Sequence, residues 1–356
     1  MKIAILGYGA EGKSAYSYFA KDKSNQITIC DEDESLELPK DVRAKLGEDY
    51  LKNLDKFDLI VRSPGIKLAN IKTSKPVTSG VKIFFEKCPA KIIGVTGSKG
   101  KSTTTTLIYE ILKAGHKKVW LGGNIGKPVL DFLDKVKPND LVVLELSSFQ
   151  LQDLDKSPSV AVALMIENEH LDYHQDFDEY FLAKANIFKY QKTNDTAVFN
   201  INDKSSAKLA SFSLAKNKIP YGVSENNKTG ARVVGDTIYI GSNKICSTNN
   251  VKLPGAHNLD NVLAAIAASW QFIKEPDPII KALSTFTGLK HRLELVTETG
   301  GVKYYDDSIA TTPSSAIAAI KAFKSPKVII LGGSDKGADF DHLAEVITSS
   351  NVIGVV

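Results

Sequence analysis

Three stretches of this chain repeat one pattern: an apolar strand, a glycine-rich turn, then a helical run. They are Ile3-Ala4-Ile5-Leu6 into Gly7, Ile92-Ile93-Gly94-Val95 into Gly97, and Lys327-Val328-Ile329-Ile330-Leu331 into Gly332-Gly333. Strands that are apolar throughout and alternate with helices belong in parallel sheets covered on both faces. Ligands of such sheets bind beyond the carboxyl ends of the strands, where all three glycine turns fall. The expected fold is therefore α/β, with three units in series.

The first unit continues through Ile27-Thr28-Ile29-Cys30 and Leu59-Ile60-Val61. Pro89 and Ala90 interrupt the pattern before the second strand, and Gly288 precedes the third unit, so the expected domains are residues 1–88, 89–288 and 289–356. Buried-looking strands in the second unit cover 141–144 and 160–166. Residues 231–245 alternate like antiparallel strands, with Gly235-Asp236 and Gly241-Ser242 as turns. The third unit ends in Val352-Ile353-Gly354-Val355-Val356, which reads as a strand that should feed another helix. A doubly wound domain has more elements than this unit holds, so an incomplete third domain is expected.

Composition narrows the function. With 356 residues and 43% hydrophobic content, each unit can bury a core. A net charge of +4, spread along the chain, is too weak for a nucleic-acid binder. No apolar run approaches the length of a membrane span, and Met1 to Leu6 reads as a strand and not a leader. Three cysteines without paired spacing, Cys30, Cys88 and Cys246, fit a reducing compartment. A cytoplasmic monomer acting on small molecules is expected.

The strongest local signal is Gly94-Val95-Thr96-Gly97-Ser98-Lys99-Gly100-Lys101-Ser102-Thr103. It follows a strand and opens a helix carried by Leu107, Ile108, Ile111 and Leu112 and closed by Gly115. Backbone N–H groups of such a turn converge on a phosphate, and the helix N-terminus adds positive potential. Lys101 is placed to neutralise β and γ phosphates, and the Ser102 hydroxyl to ligate Mg²⁺. The spacing departs from the common phosphate loop, which has glycine where Val95 stands. Glu145 ends the strand at 141–144, as a solvated strand end or as a carboxylate for the metal. His170 read alone is an ordinary polar residue, and Lys184, in a helical stretch at 180–188, belongs on a solvated face.

The first loop, Gly7-Tyr8-Gly9-Ala10-Glu11-Gly12 with Asp31 ending the next strand, has the form of a dinucleotide fingerprint with an acidic ribose reader. The same glycines would serve any ligand whose diphosphate approaches the backbone closely.

The Thr-Gly-x-x-Gly-Lys-Ser loop resembles that of the Mur ligases and folylpolyglutamate synthases. Several further segments are similar to Mur ligases of the glutamate-adding, MurD type. They are Gly122-Gly123-Asn124-Ile125-Gly126, Glu145-Leu146-Ser147-Ser148-Phe149-Gln150-Leu151, Gly255-Ala256-His257-Asn258 with Asn261, and His291-Arg292-Leu293-Glu294. Residues 1–85 are what a folylpolyglutamate synthase would lack. The resemblance implies a three-domain architecture: a Rossmann-like N-terminal domain, a central phosphate-loop ATPase-type parallel-sheet domain and a Rossmann-like C-terminal domain. It also implies an ATP-dependent ligase joining glutamate to UDP-N-acetylmuramoyl-L-alanine during peptidoglycan synthesis.

Its site residues follow by matching positions. ATP would lie on Gly97, Ser98, Lys99, Gly100, Lys101, Ser102 and Thr103, with Asn258, Asn261, Arg292 and Asp307 around adenine, ribose and phosphates. One Mg²⁺ would be held by Ser102 and Glu145, and a second by His170 and a Lys184 carbamylated by CO₂. The UDP substrate would lie along Gly9, Ala10, Glu11, Asp31, Ser63 and Gly65, with Asn124, Gln150 and His170 nearer its reacting end. Lys336 would hold the side-chain carboxylate of glutamate. In this reading ATP phosphorylates the substrate carboxylate, and the glutamate amine then attacks the acyl phosphate. Glu11 departs from the usual serine or threonine and should weaken diphosphate binding unless it points away. Ile309 stands where the family commonly has lysine, which leaves D-glutamate and L-glutamate both open, with D-glutamate favoured. A nucleotide-binding module without catalysis is the alternative; it would bind ATP without substrate-stimulated phosphate release.

Overall fold

The computed structural model describes residues 1–170, 173–223, 227–253, 255, 257–334 and 338–356, with residue 257 described for its backbone alone. The first domain runs β1 (Lys2–Leu6), α1 (Ala10–Phe19), β2 (Gln26–Asp31), β3 (Arg43–Leu46), β4 (Leu59–Arg62), β5 (Val77–Ser79) and α2 (Gly80–Lys87). Its sheet is parallel in the order β3-β2-β1-β4-β5. Ile3, Ala4, Ile5 and Leu6 are fully buried, as strands covered on both faces require. From β1 the chain builds outward through β2 and β3, then returns to add β4 and β5 on the other side. Both loops after β1 and β4 therefore open on one crevice.

The central domain follows with β6 (Lys91–Thr96), α3 (Lys101–Ala114), β7 (Val119–Gly123), β8 (Leu141–Glu145), α4 (Ser148–Leu151), β9 (Val160–Ala163), α5 (Phe177–Lys189) and β10 (Thr196–Asn200). It continues with α6 (Lys204–Ser211), β11 (Asn217–Tyr221), β12 (Ala231–Val234), β13 (Thr237–Ile240), β14 (Asn243–Ser247), α7 (His257–Ser269) and α8 (Pro276–Thr285). The nine strands lie in the order β14-β13-β12-β11-β10-β9-β6-β8-β7. Only β12, β13 and β14 pair antiparallel, with turns at the two glycine dipeptides read from the sequence. Here β6 sits between β8 and β9, so the phosphate-loop motif emerges where the strand order reverses. α3 and α7 pack one face through Leu107, Ile108, Ile111, Val262, Leu263 and Ile266, all fully buried.

The last segment holds a hairpin of β15 (Glu294–Thr299) and β16 (Val302–Asp306), then α9 (Pro313–Ala322), β17 (Lys327–Ile329), α10 (Asp341–Ser349) and β18 (Val352–Val355). β17 and β18 are parallel neighbours joined across α10, a right-sized strand–helix–strand unit around Ile320, Leu343 and Val346. The architecture is the α/β one expected, with parallel sheets in all three parts. Among the described residues no helix is long and apolar enough to cross a membrane.

Candidate active site

The first glycine loop is shaped from within. Gly7 has φ +82°, and a Cβ on Gly12 would lie 1.9 Å from the Gly7 carbonyl oxygen, so only glycine lets α1 start this close to β1. The Asp31 carboxylate accepts the N–H of Tyr8 at 2.6 Å and that of Asp33 at 3.0 Å, while Ser63 Oγ donates to the Gly7 carbonyl at 2.8 Å. Asp31 and Ser63 thus brace the loop, and Gly9, Ala10 and Gly65 stay exposed around it. Glu11 turns toward the central domain, where Gln150 Nε2 donates to its Oε1 at 2.6 Å. Burial raises this carboxyl above the ordinary glutamate value, against the opposing pull of the Gln150 bond and Arg62. Gln150 is itself buried and closes a capping box with Ser147 at the start of α4.

The second loop joins β6 to α3. Gly100 caps the helix at φ +81°, where a Cβ would lie 2.2 Å from Asn261 Oδ1. Ser98 is held by its surroundings: its N–H donates to the Met165 carbonyl, and its Oγ donates to the Glu167 carbonyl at 2.9 Å and lies 2.7 Å from Tyr180 Oη. Lys99 pairs with Glu167 at 2.8 Å. Ser102 follows Lys101 in the first turn of α3 and is part-exposed, and Thr103 is buried beside it.

Two lysines converge on this loop. Lys101 Nζ donates to the carbonyls of Gly97 at 2.9 Å and Ser98 at 2.7 Å. Lys184 Nζ donates to the same Gly97 carbonyl at 2.9 Å and to Thr96 Oγ1 at 3.3 Å, and lies over the Tyr180 ring. The solvated-face reading of Lys184 is overturned: it is 1% exposed, because Tyr180 and Phe188, four residues either side, carry its stripe of α5 into the core. Burial, reinforced by Lys101, holds its ammonium well below the ordinary lysine value, while Glu169 and Glu145 pull the other way. Lys101 is lowered chiefly by burial too, again against Glu145 and Glu169.

Glu145 ends β8 at 2% exposure. Asn124 Nδ2 donates to its Oε1 at 2.8 Å, and its Oε2 has no hydrogen-bond partner among the described residues. A buried carboxylate oxygen left unpaired costs roughly 1–3 kcal/mol or more, so the chemistry of this carboxylate fits a bound cation. His170 has φ +59° and is exposed, with its ring 4.9 Å from that of Phe149 and 6.3 Å from that of Tyr180.

A cavity of about 320 Å³ opens between the phosphate loop, α7 and the third domain. Lys99, Gly100, Thr103, Asn258, Asn261, Arg292 and Asp307 line it together with Ile309, which brings part of the expected nucleotide set together, while Gly97, Ser98, Lys101 and Ser102 are not among its lining residues. Asn261 Nδ2 donates to Asn258 Oδ1 at 2.9 Å, Thr104 Oγ1 donates to Asn261 Oδ1 at 3.2 Å, and Asp307 accepts the Leu293 N–H at 3.0 Å. Arg292 Nε is buried and has no hydrogen-bond partner among the described residues. Lys336 lies outside the described residues. Asn200, Tyr221 and Asp260 also line the cavity and were not read from the sequence. Their only signal is position, at the carboxyl ends of β10 and β11 and in the first turn of α7.

Three family profiles match in chain order: a MurD-like N-terminal domain over residues 1–85, the Mur ligase middle domain over 95–269, and the glutamate ligase domain of Mur ligases over 291–356. The UDP-N-acetylmuramoylalanine–D-glutamate ligase of Acetivibrio thermocellus is 41% identical over 97% of this chain and 78% of its own length. This chain belongs to the Mur ligase family. The ligase of the same name from Clostridium kluyveri is 39% identical, with the same coverage of each chain. Solved structures bear out the Mur ligase fold. The UDP-N-acetylmuramate–alanine ligase of Thermotoga maritima aligns over 100% of this chain and 84% of its own, with TM-score 0.61 and 18% identity. A pseudomurein peptide ligase from Methanothermus fervidus aligns over 98% and 83%, with TM-score 0.60 and 20% identity. In Mur ligase terms the two glycine loops belong to different domains, and Glu11 with Gln150 is a direct contact between them.

Proposed function

We propose that this chain is an ATP-dependent ligase that joins D-glutamate to UDP-N-acetylmuramoyl-L-alanine in cytoplasmic peptidoglycan precursor synthesis, acting as a monomer. The observation that carries the chemistry is the phosphate loop itself, where Lys101, held on the loop carbonyls, feels the charge of the buried Glu145, whose Oε2 has no hydrogen-bond partner among the described residues. The amino acid is taken from the names of the relatives, 41% and 39% identical over almost all of the chain. Domains at 1–88, 89–288 and 289–356 would hold UDP, ATP, and glutamate with part of the nucleotide.

Mg²⁺ held by Glu145 and Ser102, with a second ion at His170 and carbamylated Lys184, would supply charge neutralisation for the phosphates and the substrate carboxylate. The substrate carboxylate oxygen attacks the γ-phosphorus and the bond to ADP breaks, leaving an acyl phosphate. Lys101 and Arg292 stabilise the charge spread over the transferring phosphoryl group. The glutamate amine then attacks the acyl carbon, a tetrahedral intermediate expels phosphate, and the amine gives up a proton. Lys336 would hold the glutamate side chain. Carbamylation of Lys184 needs a neutral amine: its nitrogen bonds the carbon of CO₂ and releases a proton. The burial that lowers its pKa favours that neutral form.

Incubation with ATP, Mg²⁺, UDP-N-acetylmuramoyl-L-alanine and either enantiomer of glutamate tests the proposal through phosphate release and product mass. A product with D-glutamate alone is expected. ATP binding without substrate-stimulated phosphate release would overturn it.

A further inference from the structure

Arg62 ends β4 immediately before Ser63, and its side chain is 1% exposed, the largest side chain so completely buried. Its guanidinium is spent on two domains at once. Nη1 donates to the carbonyls of Pro64 at 3.2 Å and Ile66 at 3.0 Å, within its own loop, and to Tyr173 Oη at 3.2 Å. Nη2 reaches into the central domain, donating to the Phe149 carbonyl and to Asp153 Oδ1, both at 2.9 Å. Tyr173 Oη in turn lies 3.1 Å and 3.2 Å from the same Pro64 and Ile66 carbonyls. Burying a cation this fully is costly, and the two Nη groups of a flat fork reach acceptors on both sides at once as a lysine could not, while Nε finds no partner among the described residues.

What the fork grips matters more than its burial. On one side is the loop of Ser63 and Gly65, which braces the first glycine loop through the Ser63 bond to Gly7. On the other is Phe149, whose ring lies 4.1 Å from Tyr173 and 4.9 Å from His170. We propose that Arg62, with Tyr173, is a positioning clamp that sets the distance between the nucleotide half-site on the first domain and the reacting-group half-site on the central domain. The inference rests on the proposed function in one respect, that one elongated ligand must reach both half-sites. Such a ligand is bivalent, and its affinity depends on how well the two halves are held at its own span.

The clamp therefore acts on a ligand that bridges, not on one that fills a single half-site. Calorimetry on Arg62→Lys and Tyr173→Phe should show UDP-N-acetylmuramoyl-L-alanine bound about tenfold more weakly, with UDP alone changed by less than about twofold. A structural role without positioning would weaken both ligands together. Equal weakening, or no change in either, overturns the proposal. A second measurement uses no substrate: spin labels on Glu48→Cys and Asn194→Cys, both exposed positions, in a chain that also carries Cys88→Ser. The distance distribution should broaden when Arg62→Lys is added, and an unchanged distribution overturns the clamp. If the wild-type chain binds the UDP substrate yet forms no product, the proposed reaction fails while the clamp is still judged by the ligand ratio. If it binds neither ligand, the distances alone decide.

Discussion

Replacing Lys184 by methionine should separate stability from chemistry. The side chain makes two hydrogen bonds, to the Gly97 carbonyl and to Thr96 Oγ1, the second a long one at 3.3 Å. Losing them would cost about 1 kcal/mol each. Neither partner is orphaned, however, since Gly97 keeps its bond from Lys101 and Thr96 Oγ1 still donates to the Leu146 carbonyl. Against that loss, methionine of similar length removes an ammonium whose burial carries a penalty of several kcal/mol. A loss of about 2 kcal/mol against relief of several leaves the variant at neutral pH as stable as the wild type or more stable by up to about 2 kcal/mol.

The pH dependence follows from the lowered pKa. The folded chain surrenders the Lys184 proton before the unfolded chain does. Its penalty is therefore complete below the folded pKa and fades as pH rises toward the ordinary value of 10.5. The variant should gain most on the wild type at low pH and lose that advantage at high pH. Urea unfolding at pH values of about 6, 8 and 10 measures this, while phosphate release and a carbamate signal from ¹³C-bicarbonate measure the chemistry. Ligation should fall by about 10³-fold or more, with the carbamate signal gone. A variant that loses more than about 3 kcal/mol yet keeps its turnover would refute this reasoning and make Lys184 a structural cation.

Lys101→Ala should cut substrate-stimulated phosphate release by about 10³-fold, and near wild-type turnover would sink the phosphate-loop assignment. Gly12→Ala puts a methyl 1.9 Å from the Gly7 carbonyl oxygen, so stability should fall by about 1–3 kcal/mol and UDP binding should be lost while ATP binding persists. Calorimetry with each nucleotide checks that split. At the third-domain hairpin, His291 Nδ1 lies 2.7 Å from Asp306 Oδ2 and is the main cause of an Asp306 pKa of about 2. The stabilisation from this pair is present above the ordinary aspartate value of 3.8 and is lost as pH falls through about 2. His291→Ala should raise the Asp306 midpoint toward 3.8 in a carboxyl ¹³C titration, though Ser308 also bonds this carboxylate.

The sequence was most legible where strands are buried on both faces. β1, β6 and β8 are apolar for most of their length, β1 and β6 are followed at once by glycine and β8 ends in Glu145, and each lies where that pattern put it. Edge elements were harder to read. β3, Arg-Ala-Lys-Leu, and the hairpin strand β15, Glu-Leu-Val-Thr-Glu-Thr, expose much of their surface and carry charges that no buried-strand pattern contains. α5 misled for the opposite reason. Tyr180, Phe181, Ala183, Ala185, Ile187 and Phe188 are all buried, so the helix has no broad solvated face on which Lys184 could lie. Its spacing from Tyr180 and Phe188 did hold the answer, because residues four apart share a stripe. Arg62 carried no comparable signal: whether a cation at a strand end faces solvent or another domain depends on a domain contact remote in sequence.

The two glycine loops show how one local pattern can be fitted to different roles. Both open a helix beyond a central strand of a doubly wound sheet, so both present N–H groups and positive helix potential to an anion. In the second loop the first helical residue is Lys101, which shares the Gly97 carbonyl with Lys184 and feels the charge of the buried Glu145. That arrangement alternates charge around the loop and suits a phosphate bound together with a cation. In the first loop the helix opens with Ala10 and Glu11, and the acid is turned away into the domain contact with Gln150. Among the described residues this helix terminus has no counterpart of Lys101 at its first position, which suits the proposed holding of a diphosphate that does not react. Glu11 thus spares the first loop the repulsion its position threatened, and it adds a second fastening beside Arg62 between the domain that would hold the substrate and the domain that would activate it.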